Sequence, residues 1–191
     1  MNVILASGSP RRKELLEMLR VKNLMIIPAR GEEKAHPELS PDALVKELSR
    51  CKAAEVAAQH AKADDVVIGA DTIVVLDGQV LGKPHDTADA KRMLSALSGR
   101  AHTVYTGVTV IRGGTVLSHA EETQVHFRPL TAAEIEAYVA TGEPMDKAGA
   151  YGAQGYASLF VEKLEGDFFN VMGLPLCALG NLLKSLDVSL I

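Results

Sequence analysis

Met1-Asn2-Val3-Ile4-Leu5-Ala6-Ser7-Gly8-Ser9-Pro10-Arg11-Arg12-Lys13-Glu14-Leu15-Leu16-Glu17-Met18-Leu19-Arg20 opens the chain and decides its architecture. The apolar run Val3 to Ala6 reads as a strand and stops at the small-residue turn Ser7-Gly8-Ser9. Pro10 stands where a first helical residue would, since no helical partner awaits an N–H there. Leu15, Leu16 and Leu19 then supply a helical apolar stripe. Strand, tight turn and helix start together suit an anion, because the first N–H groups of a helix have no intrahelical acceptor. Arg11, Arg12 and Lys13 oppose the helix dipole in that first turn, so a bound anion would offset their cost. An ordinary solvated basic turn is the competing reading of the same residues.

Outward from this unit, strand and helix signals keep alternating. Leu24 to Pro28 predicts a second strand, and Ser40-Pro41 an N-cap and first residue of a helix running to about His60. Leu44, Leu48 and Val56 form its apolar stripe and leave Lys46, Glu47 and Lys52 polar. Val66 to Ile68 and Ile73 to Leu76 are β-rich, and Asp77-Gly78 predicts a hairpin turn before Val80 and Leu81. A helix from about Thr87 to Leu97 ends at Gly99. Thr103 to Ile111 and Thr115 to Phe127, joined at Gly113-Gly114, predict an antiparallel hairpin. Thr131 with Glu134 forms a capping box for a short helix ending near Gly142. Gly149, Gly152 and Gly155 mark an irregular loop. Leu159 to Lys163 and Asn170-Val171 predict strands around Glu165-Gly166-Asp167, ahead of a last helix from about Pro175 to Leu186. The order predicts one α/β domain over residues 1–191, with a long mixed sheet bent into two lobes around a cleft.

Bulk properties narrow the function. The 191 residues, nearly half of them hydrophobic, suffice for one sizeable core or two small ones. A formal charge of -4 argues against nucleic acid, whose phosphate backbone needs an extended basic surface. A local basic pocket in an acidic chain suits a small anionic ligand instead. Cys51 and Cys177 are too few for a disulfide framework and not spaced as a zinc site, which fits free thiols in a reducing compartment. The first residues lack a signal-peptide pattern, and Asp71 and Asp77 interrupt the longest apolar stretch, so a cytoplasmic protein with no membrane partner is expected.

Four further segments put polar groups where a core pattern does not need them. Gly69-Ala70-Asp71-Thr72 interrupts an apolar run, and a carboxylate there is costly to bury unless paired or bound to metal. Its competing reading is a bulge or strand end with a solvated Asp. Leu81-Gly82-Lys83-Pro84 follows the predicted hairpin and brings Lys83 toward Asp71 if that hairpin forms. Glu32 and Glu33 follow the second strand, where α/β sheets present ligand groups. In Glu143-Pro144-Met145-Asp146-Lys147-Ala148-Gly149-Ala150-Tyr151-Gly152-Ala153-Gln154-Gly155, three glycines spaced by three allow close backbone approach to a ligand. Tyr151 and Gln154 there offer an aromatic edge and a two-way amide for reading a planar base. Each segment alone is equally a solvated charge or a surface loop. No Walker P-loop and no His-rich metal motif occurs.

Taken together, Ala6-Ser7-Gly8-Ser9-Pro10-Arg11-Arg12, Ala70-Asp71-Thr72, Gly82-Lys83-Pro84, Asp146 to Gly155 and the closing Gly173-Leu174-Pro175 resemble the Maf family of nucleoside triphosphate pyrophosphatases, in the family's order and over essentially the whole chain. The resemblance implies a fold like that of inosine triphosphate pyrophosphatases: an elongated mixed β-sheet with flanking helices and two lobes around a central cleft. It also implies cleavage of a nucleoside triphosphate into monophosphate and pyrophosphate with a divalent metal cation, Mg²⁺ or Mn²⁺. Asp71 matches the family's proposed proton acceptor. Arg11, Thr72 and Gln154 match positions tied to substrate choice in the branch acting on dTTP and UTP. Lys52 and Lys83 fall on lysines expected near the phosphates, and Glu33 on an acidic position near the metal. Ala153, where Ile is common, and Phe168-Phe169, where tyrosines are common, depart from the pattern without removing any of these groups.

The mechanism expected from this set has Ser9 in the turn that donates backbone N–H groups, with Arg12, Lys52 and Lys83 holding the triphosphate. Glu33 helps place the metal, and Asp71 orients and deprotonates the attacking water, or else ligates the metal. The rival readings are a 7-methyl-GTP pyrophosphatase of the sibling branch, a purine triphosphate hydrolase, and a non-catalytic nucleotide-binding regulator of septum formation. The partner expected is the nucleotide itself; a homodimer is an option the sequence leaves open.

Overall fold

The computed structural model describes residues 1–31 and 38–190. Its strands are β1 (Val3–Leu5), β2 (Leu24–Ile26), β3 (Val66–Leu76), β4 (Gln79–Leu81), β5 (Ala101–Arg112), β6 (Thr115–Phe127) and β7 (Val161–Glu165). Its α-helices are α1 (Pro10–Met18), α2 (Pro41–His60), α3 (Thr87–Leu97), α4 (Ala132–Ala140), α5 (Phe168–Met172) and α6 (Leu176–Lys184). The strands build one mixed sheet in the order β2-β1-β3-β5-β6-β7, with β4 paired to β3. Leu5 of β1 stands opposite Ile26 and Ile68 in two parallel ladders. Parallel neighbours need a crossover, and α1 and α2 supply them. The β3–β4 and β6–β7 ladders are antiparallel.

Local chemistry accounts for the element ends. Pro10 and Pro41 open α1 and α2, as expected of a residue that lacks an N–H. Gly99, at φ 68°, follows α3 in the left-handed region. At α4 the capping box is complete: Glu134 N–H donates to Thr131 Oγ1 at 3.2 Å, and Thr131 N–H donates to Glu134 Oε2 at 2.8 Å. Hydrogen bonds from Arg128 and Thr131 lower the Glu134 carboxyl to about 2.

Three readings need correction. Val66 to Leu76 is one uninterrupted strand, so Gly69-Ala70-Asp71-Thr72 is not a strand end. Asn170-Val171, expected as a strand, lies in helix α5. Asp167 Oδ1 accepts the Phe169 N–H at 2.7 Å and starts that turn. The buried Asn170 amide donates to Val104 O at 3.0 Å and Thr123 Oγ1 at 2.9 Å. Leu159 likewise ends a 3-10 turn, Tyr156–Leu159, and β7 begins at Val161.

The chain divides into two compact units: Met1–Asp71 with Thr106–Glu121 and Gly173–Ile191, and Thr72–Tyr105 with Glu122–Met172. In the first, Ile4, Ala6 and Val67 of the sheet pack against Ala53 and Val56 of α2. That helix lies so close that a Cβ on Gly69 would come 2.3 Å from Ser49 O, and one on Gly107 2.0 Å from Val45 O. In the second, Leu94, Leu97, Ile135, Tyr138, Tyr151 and Phe160 belong to one buried cluster. Phe127 stands at its centre, edge-on to Tyr151 at 4.7 Å and to His102 at 5.0 Å. Among the described residues no helix is long and apolar enough to cross a membrane. Cys51 and Cys177 are exposed and form no disulfide.

Candidate functional site

The first unit carries Ser9, Arg11, Arg12, Lys52 and Asp71. The turn after β1 is organised by Ser7, whose Oγ accepts the Ser9 N–H at 3.2 Å and Arg12 Nη1 at 3.0 Å. Arg12 is buried, and its Nε donates to Gly173 O at 2.7 Å. The basic helix start is therefore not an ordinary solvated turn, because one of its charges ties α1 to the Gly173-Leu174-Pro175 segment. The Ser9 amide is engaged by Ser7 within the turn. Ser9 caps α1 by position only, with no side-chain bond, and Arg11 is half-buried in the first helical turn. Lys13 reaches along the exposed helix face to Glu17 at 3.5 Å.

Strand periodicity places Asp71. Val67, Gly69 and Asp71 alternate onto one face of β3, the face that α2 covers. Gly69 lets Ser49 and Ala53 of α2 sit directly on the strand. Lys52, next to Ala53, then reaches Asp71, and its ammonium donates to Asp71 Oδ1 in a mostly buried ion pair. The cost of burying a carboxylate in mid-strand is offset by this partner. A base candidate and a phosphate-binding candidate are thus one structural unit, joined by a helix–strand contact that needs a glycine.

The second unit carries Thr72, Lys83 and Gln154. Thr72 is the half-buried residue after Asp71. The β3–β4 hairpin forms as expected, and it leaves Lys83 exposed. The preceding Gly82 carbonyl accepts the Gly149 N–H at 3.0 Å, which binds the lysine loop to the glycine-rich segment.

In that segment the three glycines do not hold space open for a ligand. Each makes room for a side chain of the protein itself. A Cβ on Gly149 would meet Val74 at 2.9 Å, one on Gly152 would meet the Lys147 stem at 2.7 Å, and one on Gly155 the Glu143 carboxylate at 2.3 Å. Gly149 also has φ 67°, where a side chain is strained. Tyr151, expected to present an aromatic edge to a base, is buried instead. Its hydroxyl lies 2.7 Å from His102 Nε2. Gln154 alone of the pair is exposed, in a turn closed by Gly155 N–H donating to Gly152 O at 3.0 Å.

Sequence reasoning gave no role to His102, Tyr138 or Glu143. Burial lowers His102 to about 4, with the His126 charge adding to the effect. Burial raises the Tyr138 and Tyr151 phenols, which remain protonated. The alternation that puts His102, Val104 and Thr106 on one buried face of β5 is the signal the sequence offered for this cluster.

Glu33, and Glu32 beside it, lie outside the described residues. Among the described residues no three carboxylate, imidazole or thiolate side chains come together as a ready metal site. Asp71 supplies a hard oxygen donor of the kind Mg²⁺ uses, since that ion is commonly held by one or two carboxylates together with substrate phosphates.

A family model described as Maf-like protein matches residues 2–186. A dTTP/UTP pyrophosphatase of Moorella thermoacetica is 53% identical over 189 residues, covering 97% of this chain and 95% of its own length. Another, of Symbiobacterium thermophilum, is 51% identical over 174 residues, with 91% and 88% covered. A third, of Bacillus mycoides, is 48% identical over 185 residues, with 97% and 95% covered. A crystal structure of a nucleoside-triphosphatase / dITP/XTP pyrophosphatase from Mycobacterium abscessus aligns with a TM-score of 0.46 at 13% identity, over 97% of this chain and 98% of that one.

Proposed function

The chain belongs to the Maf-like protein family, and from that premise we propose that it hydrolyses dTTP and UTP to the nucleoside monophosphate and pyrophosphate. The observation that carries the reading is the Lys52–Asp71 pair, a carboxylate in mid-strand set beside an ammonium. Relatives of about the same length that carry the dTTP/UTP pyrophosphatase name support the substrate class.

Negative charge is the obstacle in this reaction, since it repels the nucleophile and gathers on the leaving pyrophosphate. Lys52, Lys83 and Arg12 neutralise it. Asp71 accepts the proton of the water that attacks the α-phosphorus. Arg11, Thr72 and Gln154 set the choice of nucleotide. A divalent cation would be held by Glu33 together with phosphate oxygens, and it would supply Lewis-acid charge neutralisation. Gln154 donates to a ring carbonyl and accepts from N3–H of thymine or uracil, a pattern that cytosine reverses at N3 and C4.

The test is a panel of dTTP, UTP, dCTP, CTP, ITP and 7-methyl-GTP with Mg²⁺, scoring pyrophosphate against orthophosphate. Pyrophosphate is expected, with dTTP and UTP well ahead of dCTP and CTP; dTTP and UTP, which differ in the C5 methyl and the 2′-hydroxyl, should lie within about tenfold of each other, the methyl group contributing only about 1 kcal/mol. Asp71→Asn should lower kcat by roughly a hundred- to ten-thousand-fold while the fold persists. Stepwise orthophosphate release, absence of turnover, or a faster rate on 7-methyl-GTP would overturn the proposal.

A further inference from the structure

Gln154 is exposed, so packing does not fix where its amide points. An exposed side chain that reads a base must therefore borrow its precision from the backbone beneath it. That backbone is anchored on both sides of Gln154 by one pair of side chains. Before it, the Gly152 N–H donates to Tyr138 Oη at 3.3 Å. After it, the Tyr156 N–H donates to Glu143 Oε2 at 3.1 Å. The two anchors are linked, because the Tyr138 hydroxyl donates to the other carboxylate oxygen, Glu143 Oε1, at 2.9 Å. A chain of three hydrogen bonds thus straps residues 152–156 at both ends, with Gln154 midway.

The rest of the local chemistry serves the same strap. Gly155 carries no Cβ, and the Glu143 carboxylate fills the space where one would stand. Glu143 is held from behind as well, since Lys147 Nζ donates to its carbonyl oxygen at 2.6 Å and the Glu143 N–H donates to Thr141 Oγ1 at 3.1 Å. Tyr138 is fixed by the core, edge-on to Phe160 at 5.2 Å.

We propose that Glu143, acting with Tyr138, is the positioning residue that sets Gln154 for base discrimination. It acts through the turn that presents the amide and not on the substrate. The inference rests on the proposal that Gln154 reads the base, and the two are separated by variant.

The experiment compares Glu143→Ala, Glu143→Gln, Tyr138→Phe, Gln154→Ala and the double variant Glu143→Ala with Gln154→Ala. One readout is the dTTP-to-dCTP ratio of kcat/KM; the other is amide hydrogen exchange at Gly152 and Tyr156. Loss of hydrogen bonds to a charged acceptor should lower the ratio by about tenfold in Glu143→Ala, chiefly through KM for dTTP. Glu143→Gln keeps one acceptor and should recover part of the loss, and both anchor amides should exchange faster in Glu143→Ala and Tyr138→Phe. The double variant should discriminate no worse than Gln154→Ala alone. A wild-type ratio in Glu143→Ala beside a reduced one in Gln154→Ala overturns the positioning role and leaves base reading by Gln154 standing. A wild-type ratio in Gln154→Ala itself removes base reading and the positioning role with it. Unchanged amide exchange in every Glu143 and Tyr138 variant overturns the strap whatever the activity. Should Glu143→Ala fail to fold, Glu143→Gln and Tyr138→Phe carry the same readouts.

Discussion

His102 concentrates the physics of the second unit's core. Its ring lies edge-on to Phe127 and Tyr151, its Nε2 meets the Tyr151 hydroxyl, and burial lowers its pKa to about 4. The unfolded chain protonates this histidine near its ordinary value of about 6.5, so below that pH the unfolded state binds one more proton than the folded state. Stability is therefore complete above about 6.5 and lost progressively as pH falls to about 4, after which this group adds nothing further. The loss attributable to it is at most about 3 kcal/mol. His102→Gln keeps a partner for Tyr151 and cannot protonate. Denaturant melts from pH 7 to pH 4 should show a smaller acid loss in the variant, and parallel pH profiles would refute the assignment. At the same scale, Asp71 stood out in the sequence as a carboxylate interrupting an apolar run, whereas Lys52 gained a role only through the family resemblance. Glu143 did not, because a carboxylate before a glycine-rich loop resembles any solvated charge until its two hydrogen bonds are seen.

Among the elements, the seating of α2 on β3 has the most direct bearing on chemistry. Gly69 is conspicuous in a β-rich run, yet its purpose emerges only when Ser49 and Ala53 are seen against it. Gly69→Ala would push a Cβ into the Ser49 carbonyl and force the helix away from the strand. Overpacking of this kind costs about 1–3 kcal/mol. It also displaces Lys52 from Asp71, and a misplacement of about 1 Å at reacting groups can cost roughly a hundredfold in rate. We expect Gly69→Ala to lower both Tm and kcat. Gly180→Ala, on an exposed face of α6 with open space around it, should leave kcat unchanged and gain up to about 1 kcal/mol from helix propensity. Equal kcat in the two variants would show that the α2–β3 contact does not set the pair.

At the scale of the whole molecule, a bound triphosphate stabilises the folded state by mass action. A non-hydrolysable dTTP analogue at a hundredfold its Kd should contribute about 2.7 kcal/mol. For a chain of this size that corresponds to roughly 5–10 °C in Tm. The matching dCTP analogue at the same concentration should shift Tm less, and equal shifts would contradict base selectivity in binding. The measurement needs no turnover, so it separates recognition from chemistry.

What the sequence determined by itself was the order and kind of most elements. Pro10, Pro41, Gly99 and the Thr131–Glu134 box act within a few residues, and local rules read them correctly. The motifs also pointed to the family, because their residue types and order are properties of the chain alone. Only the tertiary structure decided which polar groups are used internally. Arg12 is held by a carbonyl 161 residues away. Asn170, in a segment with strand propensity, lies in a helix with its amide bonded to Val104 and Thr123, and the three loop glycines make room for Val74, Lys147 and Glu143. Propensity and spacing are local quantities, whereas packing and hydrogen-bond satisfaction depend on whatever the fold brings alongside.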